Sequence, residues 1–249
     1  MYDVATRMHT LRLLADGRSM SSVSKETGIS RASIRAWRIR VEPLPRLYQT
    51  SSCTPLTDTV SYSYLLGLYL GDGHISQPAS HRVPSLRITC DDKWPGLMNA
   101  AEDAIRRVFP ANQVCRAKKV GCHDVKVYSK HLIHLFPQHG PGRKHERRIV
   151  LEGWQQTIVD AHPWEFIRGL IHSDGCRVTN WTVRNGKRYE YPRYFFTNKS
   201  DDIRKLCTDT LAKVGVQWTI LARGSDPFNV SIARKESVAL MDAHIGPKY

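Results

Sequence analysis

A short segment that occurs twice limits most strongly what this chain can fold into. Residues 65–73 read LLGLYLGDG and residues 167–175 read IRGLIHSDG. Each is an apolar stretch with Gly at its third position and Asp-Gly at its end, and the two Asp residues, Asp72 and Asp174, stand 102 positions apart. Gly67 and Gly71 are spaced i, i+4 and so share one helix face, and Gly169 and Ser173 repeat that spacing. Two faces of small residues let a pair of helices approach backbone to backbone. Asp72 and Asp174 then lie at adjacent helix C-termini, where the macrodipole and mutual repulsion both oppose negative charge. A cation between them relieves both, and an all-oxygen ligand set selects magnesium or calcium. A single Asp-Gly is ordinarily a helix-ending turn. Two in matched contexts point to a pseudo-twofold site.

The repetition runs beyond the two segments. Residues 85–90 (SLRITC) parallel residues 193–198 (RYFFTN), and each stretch leads into a helical pattern, over 97–108 and 203–214. Residues 125–130 (VKVYSK) parallel residues 230–235 (VSIARK), each a strand entering a helix. Each half reads helix, strands, helix, strand, helix, an antiparallel α+β order rather than βαβ. In the second half, residues 176–184 alternate polar and apolar, Asn185-Gly186 is a hairpin turn signal, and residues 188–196 return. Such a ribbon, with Arg177 and Arg188 on it, fits a DNA groove, although a sheet with one solvated face has the same alternation.

These residues resemble the paired motif of the LAGLIDADG homing endonucleases in their single-chain, two-motif form. The resemblance covers residues 61–249. It implies a pseudo-twofold pair of αββαββα-like halves with antiparallel DNA-binding sheets, residues 61–150 forming the first half and 151–249 the second. It also implies Asp72 and Asp174 as catalytic metal ligands, Gly71 and Ser173 as carbonyl donors, and Mg2+ or Mn2+ as cofactor. The family places a basic residue near the metals. Lys126 falls on a suitable strand, with Ser231 at the matching place in the second half and Arg234 nearby. The chain departs from the family at Leu70 and His172, where an earlier acid often stands; that position is not the metal ligand.

Residues 8–40 read as a small helix-turn-helix. Leu11, Leu13 and Leu14 line a first helix, Asp16-Gly17-Arg18-Ser19 breaks it, and residues 21–26 form a second with Val23 inward. Thr27-Gly28-Ile29 supplies the turn and Ser30 an N-cap for the third. The third helix turns Ile34 and Trp37 inward and Arg31, Ser33, Arg35 and Arg38 outward, which makes these four the candidates for groove contacts. A three-helix protein-interaction module is the alternative, and the basic outer face argues against it. This domain spans residues 1–45, and a linker rich in Pro, Ser and Thr spans 46–60.

The chain of 249 residues carries a formal charge of +14. The excess is even: net +5 over residues 1–50, +4 over 51–162 and +5 over 163–249. A chain basic along its whole length suits an extended polyanion, most simply nucleic acid, and the resemblance implies double-stranded DNA. Six Cys without a C-x-x-C pair, no signal peptide and no membrane-length apolar run predict a cytoplasmic protein with reduced thiols, a monomer with internal pseudo-twofold symmetry. Cys115, Cys122 and His123 could form part of a zinc site, with poor spacing. The basic run at residues 142–148 is read either as a phosphate contact or as a solvated linker.

Two functions remain open. One is a metal-dependent DNA endonuclease that hydrolyses phosphodiester bonds in a long duplex site. The other is a non-cleaving DNA-binding transcriptional regulator that reuses the fold. Retention of both Asp72 and Asp174 favours the first, since a pure binder has no need for like charges at paired helix ends. A splicing intein is disfavoured: position 1 is not Cys or Ser, and no His-Asn pair stands at Lys248-Tyr249.

Overall fold

Segment 65–73 lies at the end of a helix that is apolar on every side. That helix, α4 (Thr59–Leu70), buries every residue from Tyr62 to Leu70. A helix with no polar face must sit inside the protein. The computed structural model describes residues 2–39, 41, 56–77, 82–223 and 226–249. The chain divides into two compact units, Met1–Ser52 and Cys53–Tyr249.

In the first unit three helices follow one another: α1 (Val4–Ala15), α2 (Met20–Thr27) and α3 (Arg31–Ile39). The sequence caps each of them. The Asp3 carboxylate accepts the Thr6 amide at 2.7 Å, Ser19 Oγ accepts the Ser22 amide at 3.1 Å and Ser30 Oγ accepts the Ser33 amide at 3.2 Å. Gly28, at φ 68°, ends α2 in a left-handed turn that a glycine adopts without strain. Val23, Ile29, Ile34 and Trp37 form the core, with Leu11, Leu13, Leu14 and Met20 packed against it. Arg7 is buried beneath Trp37 and donates to the carbonyls of Tyr2 (3.2 Å) and Val41 (3.0 Å).

In the second unit the order helix, two strands, helix, two strands, helix occurs twice. After α4 come β1 (Gly73–Ser76), β2 (Ser85–Asp91), α5 (Pro95–Val108), β3 (Val114–Lys119), β4 (Cys122–Tyr128) and α6 (Leu132–Leu135). A 3-10 turn (Lys144–Glu146) and α7 (Gly153–Ala161) lead to α8 (Pro163–Asp174). There follow β5 (Gly175–Arg184), β6 (Lys187–Thr197), α9 (Asp201–Lys213), β7 (Thr219–Arg223), β8 (Asp226–Ile232) and α10 (Lys235–His244). The sheets are antiparallel, ordered β1-β2-β4-β3 and β5-β6-β8-β7. The α+β fold with paired αββαββα halves is thus observed. The strands β3 and β7 complete the αββαββα order that the resemblance implies, whereas the local pattern alone marks one strand after each second long helix. The expected linker over 46–60 also ends earlier than its upper bound, since Thr59 and Val60 already belong to α4, capped by the Asp58 carboxylate on the Ser61 amide at 2.7 Å. Residues 46–55 lie outside the described residues.

Pairing registers make the halves equivalent: Gly73 stands opposite Ile88, and Gly175 opposite Phe196. Leu86, Ile88, Val125 and Val127 point into the core from the first sheet, and Tyr194, Phe196, Val230 and Ile232 from the second. α5 and α9 cover them with Ala101, Ile105, Ile203 and Leu211 in one continuous cluster that runs through α4 and α8. The opposite sheet faces carry more exposed side chains, although Asp124 and Ser231 on them are buried. One carries the cross-strand row His74, Arg87, Lys126; its counterpart is Cys176, Phe195, Ser231. Asn185 (φ 50°) and Gly186 (φ 73°) make the turn that joins β5 to β6. Among the described residues no helix is long and apolar enough to cross a membrane.

Candidate active site at the paired helix ends

α4 and α8 touch through their backbones. A Cβ on Gly67 would lie 2.5 Å from the Phe166 carbonyl oxygen, and one on Gly169 would lie 2.2 Å from that of Tyr64. Neither helix could approach so closely with any other residue there. The contact continues to the C-termini, where a Cβ on Gly71 would stand 2.1 Å from Ser173 Oγ and 3.1 Å from Asp174 Oδ2. Ser173 Oγ folds back onto its own helix, donating to Gly169 O (3.0 Å) and Leu170 O (2.9 Å). Glycine and serine at equivalent places therefore let the two motif ends meet, and they bring Asp72 and Asp174 into electrostatic contact.

The pair is strained in charge. Burial, and then the charge of Asp174, push the Asp72 carboxyl up to about 6, although Lys248 and Lys144 pull it down. Burial also raises Asp174, opposed by a 2.6 Å hydrogen bond from Asn198 Nδ2 and by the same two lysines. The Asp72 carboxyl is desolvated by its neighbours, yet the residue keeps an exposed surface, so a ligand can reach it.

Two ammonium groups lie on the helix ends. Lys144 Nζ donates to the carbonyls of Tyr69 (2.5 Å), Leu70 (3.1 Å) and Gly71 (2.7 Å), closing the last turn of α4. Lys248 Nζ donates to the Ser173 carbonyl at 2.8 Å. Burial pushes Lys144 down to about 8 and lowers Lys248 as well, while the two carboxylates hold both up. The cations beside the carboxylates are thus Lys144 and Lys248. Lys126, the sequence-based candidate, sits on the open face of β4, 3.6 Å from Asp124, and is not among the charges acting on Asp72. The basic run at 142–148 therefore includes a residue of the site, a contribution that its composition did not reveal. The signal available was spacing: Lys144 follows Asp72 by 72 positions and Lys248 follows Asp174 by 74.

His172 is buried between the helices, with Nδ1 2.9 Å from the Tyr64 hydroxyl and its ring edge-on to the tyrosine. Burial pushes it down to about 4, so it packs as a neutral ring.

The oxygens at the helix ends are two carboxylates and the Gly71 and Ser173 carbonyls, which here accept from Lys144 and Lys248; all are hard donors, a set that fits magnesium, manganese or calcium and not zinc once the ammonium groups give way. The zinc alternative fails on geometry. Neighbouring positions Cys122 and His123 point to opposite faces of β4, and among the described residues no three His, Cys, Asp or Glu gather to hold a metal.

The candidate DNA contacts fall into two groups. Arg31, Arg35 and Arg38 are exposed on α3, whereas Ser33 is half-buried with its hydroxyl 2.9 Å from that of Ser30. Arg188 is exposed on the β5–β6 ribbon, stacked over Trp181 and paired with Glu190 at 2.9 Å. Arg177 is different: its guanidinium forks onto Asp242 at 2.6 and 2.9 Å, and Tyr194 donates to the same carboxylate. It fastens α10 to the sheet.

No family model and no curated protein matches the chain. Solved structures do. Mesophilic variants of the homing endonuclease I-DmoI superpose with a TM-score of 0.50 at 18% identity, over 75% of this chain and 89% of theirs. I-DmoI in complex with DNA and Mn superposes with a TM-score of 0.50 at 18% identity, over 77% of this chain and 98% of that one. The N-terminal LAGLIDADG domain of DUF199/WhiA covers 79% of this chain and 86% of its own at TM-score 0.48 and 12% identity. The fold is that of the two-domain LAGLIDADG endonucleases.

Proposed function

We propose that the protein is a divalent-metal-dependent endonuclease that binds a long duplex DNA site. The observation that carries this reading is the meeting of Asp72 and Asp174 at glycine-packed helix ends, one from each half, with a lysine on each end. Two like charges held together at the negative ends of two helices are costly, and Lys144 and Lys248 offset that cost only in part, since Asp72 stays raised to about 6. A fold needing only a DNA-reading surface has no use for them. The I-DmoI structure with DNA and Mn supports both the partner and the class of metal.

In this reading Asp72 with the Gly71 carbonyl, and Asp174 with the Ser173 carbonyl, each hold a cation, magnesium or manganese. Bound there, such an ion supplies Lewis-acid activation of water and stabilisation of the departing 3′ oxygen. Lys144 and Lys248 neutralise charge that gathers on the scissile phosphates, and they hold the helix ends in register. The open sheet faces, with Arg188 on the longer ribbon, lie along the duplex. Residues 1–45 add a helix-turn-helix that presents Arg31, Arg35 and Arg38 to a DNA groove, with Ser33 beside them. The internal pseudo-twofold axis makes a monomer sufficient for both strands.

The test is to select bound duplexes from a randomised library and then add magnesium or manganese. Wild type should cut the selected site, and Asp72→Asn and Asp174→Asn should bind it equally well without cutting. Tight binding of a defined site by wild type with no nick in either metal would replace the nuclease with a regulator.

A further inference from the structure

The two halves differ at one place beside the carboxylates. Because Gly73 faces Ile88 and Gly175 faces Phe196, the residue two positions beyond each partner is equivalent: Cys90 in the first half, Asn198 in the second. Asn198 is locked. Its Oδ1 accepts the Ser200 amide at 2.8 Å, its carbonyl accepts Arg204 at 2.5 Å and its own amide donates to Phe228 O at 3.2 Å. That leaves the side-chain NH2 aimed at Asp174, 2.6 Å away. Cys90 is buried in the same corner of the first half and feels the charge of Asp72, but it is a thiol, and burial pushes it up to about 12. Among the described residues no donor is hydrogen-bonded to Asp72. One carboxylate is oriented before any ligand arrives, and the other is not.

We propose that Asn198 is a positioning residue for Asp174, that Cys90 leaves Asp72 without such support, and that the two strands of the duplex are therefore cut in sequence. This rests on the nuclease reading above. A partner that fixes a liganding group raises affinity for the ion by about 10- to 100-fold, so the half with Asn198 binds its cation more tightly and acts first. At each strand a water oxygen bonds to phosphorus as the bond to the 3′ oxygen breaks. The water proton passes to solvent and the 3′ oxygen takes one up, so no other reactant is needed. The product of the first step is a nicked duplex.

Two measurements on the full chain, bound to a library-selected duplex, test this. Calorimetric titration with calcium should resolve two affinities at least about 10-fold apart in wild type. Asn198→Cys, which copies the first half at a half-exposed position, should weaken the tighter one until they merge. Cys90→Asn should merge them from the other direction, and a melting curve shows whether that buried substitution folds. On supercoiled plasmid carrying the site, wild type should accumulate nicked circle before linear product, with end labels showing one strand cut first; Asn198→Cys should remove that order. Equal calcium affinities in wild type, or an unchanged pair in Asn198→Cys, overturns the asymmetry and leaves the nuclease reading standing. A bound duplex with neither calcium uptake nor any nick overturns both.

Discussion

Gly67 and Gly169 meet with no side chain between them: the Gly67 α-carbon is 2.9 Å from where a Cβ on Gly169 would stand. The atoms around that Cβ are backbone, so nothing flexible can yield. Gly169→Ala should therefore cost about 3 kcal/mol or more, at the upper end of overpacking penalties, in urea denaturation of the metal-free protein. Unaltered stability would mean that the helices slide freely at no cost.

Asp72 predicts a pH dependence. Its carboxyl lies above the usual value, at about 6. For a group raised in the folded state, the stabilisation is present below the unfolded value and is lost as pH rises through the folded one. Asp72→Asn should thus melt above wild type at pH 8 without divalent ions, and the gap should close as pH falls toward 4. Calcium added to wild type at pH 8 should recover much of the gap. A variant that melts lower than wild type at pH 8 would show that the like-charge pair is not under strain.

Lys144 and Lys126 separate the roles of two lysines. Lys144→Met should slow cutting about 100-fold, as loss of one charge-stabilising donor does, with duplex affinity little changed. Lys126→Met, on the open sheet face, should instead weaken binding and reduce its salt dependence. A reversed pattern in single-turnover and binding assays would return the active-site assignment to Lys126.

Arg177 should behave as a fastener. Arg177→Ala should cost about 1 kcal/mol, as a partly exposed, well-formed pair does, and leave duplex affinity unchanged. The Arg177 bond holds the Asp242 carboxyl below its usual range, so that stabilisation exists above the unfolded value and is lost as pH falls. The difference between variant and wild type in a melting series should vanish in acid. A large loss of DNA binding in Arg177→Ala would restore it as a contact residue.

Arg35 tests the first unit. Arg35→Ala should weaken duplex binding by about 1–3 kcal/mol and relax base preference locally, whereas Ser33→Ala should change little because its hydroxyl is already engaged with Ser30. Deleting residues 1–52 should shorten the footprint. A deletion with the footprint and affinity of the full chain would leave these three helices a non-DNA role.

The architecture of residues 61–249 was largely legible because it is written twice. A motif, its following strands and its helices recur in the same order at similar spacing, and repetition turns weak local signals into a strong one. β3 and β7 escaped because they are short edge strands with mostly exposed residues, such as Arg116, Lys118 and Lys119, and edge strands need no regular apolar alternation. The partners of the carboxylates escaped for another reason. Lys144 and Lys248 reach the helix ends through contacts more than 70 residues long in sequence, and nothing local marks a lysine that will fold back onto a distant carbonyl. The same holds for Arg177, whose partner Asp242 is 65 positions away.

The glycine contact between α4 and α8 also bears on how such a chain can change over time. Where the two helix ends meet is decided by main-chain atoms, which no substitution on the sheets can alter. If the sheets read DNA as proposed, their exposed faces can drift residue by residue toward a new duplex sequence while the carboxylates stay in place. Novelty in what is read is uncoupled from the geometry of what is done, and the cost of that freedom falls on two positions, Gly67 and Gly169, that cannot vary at all.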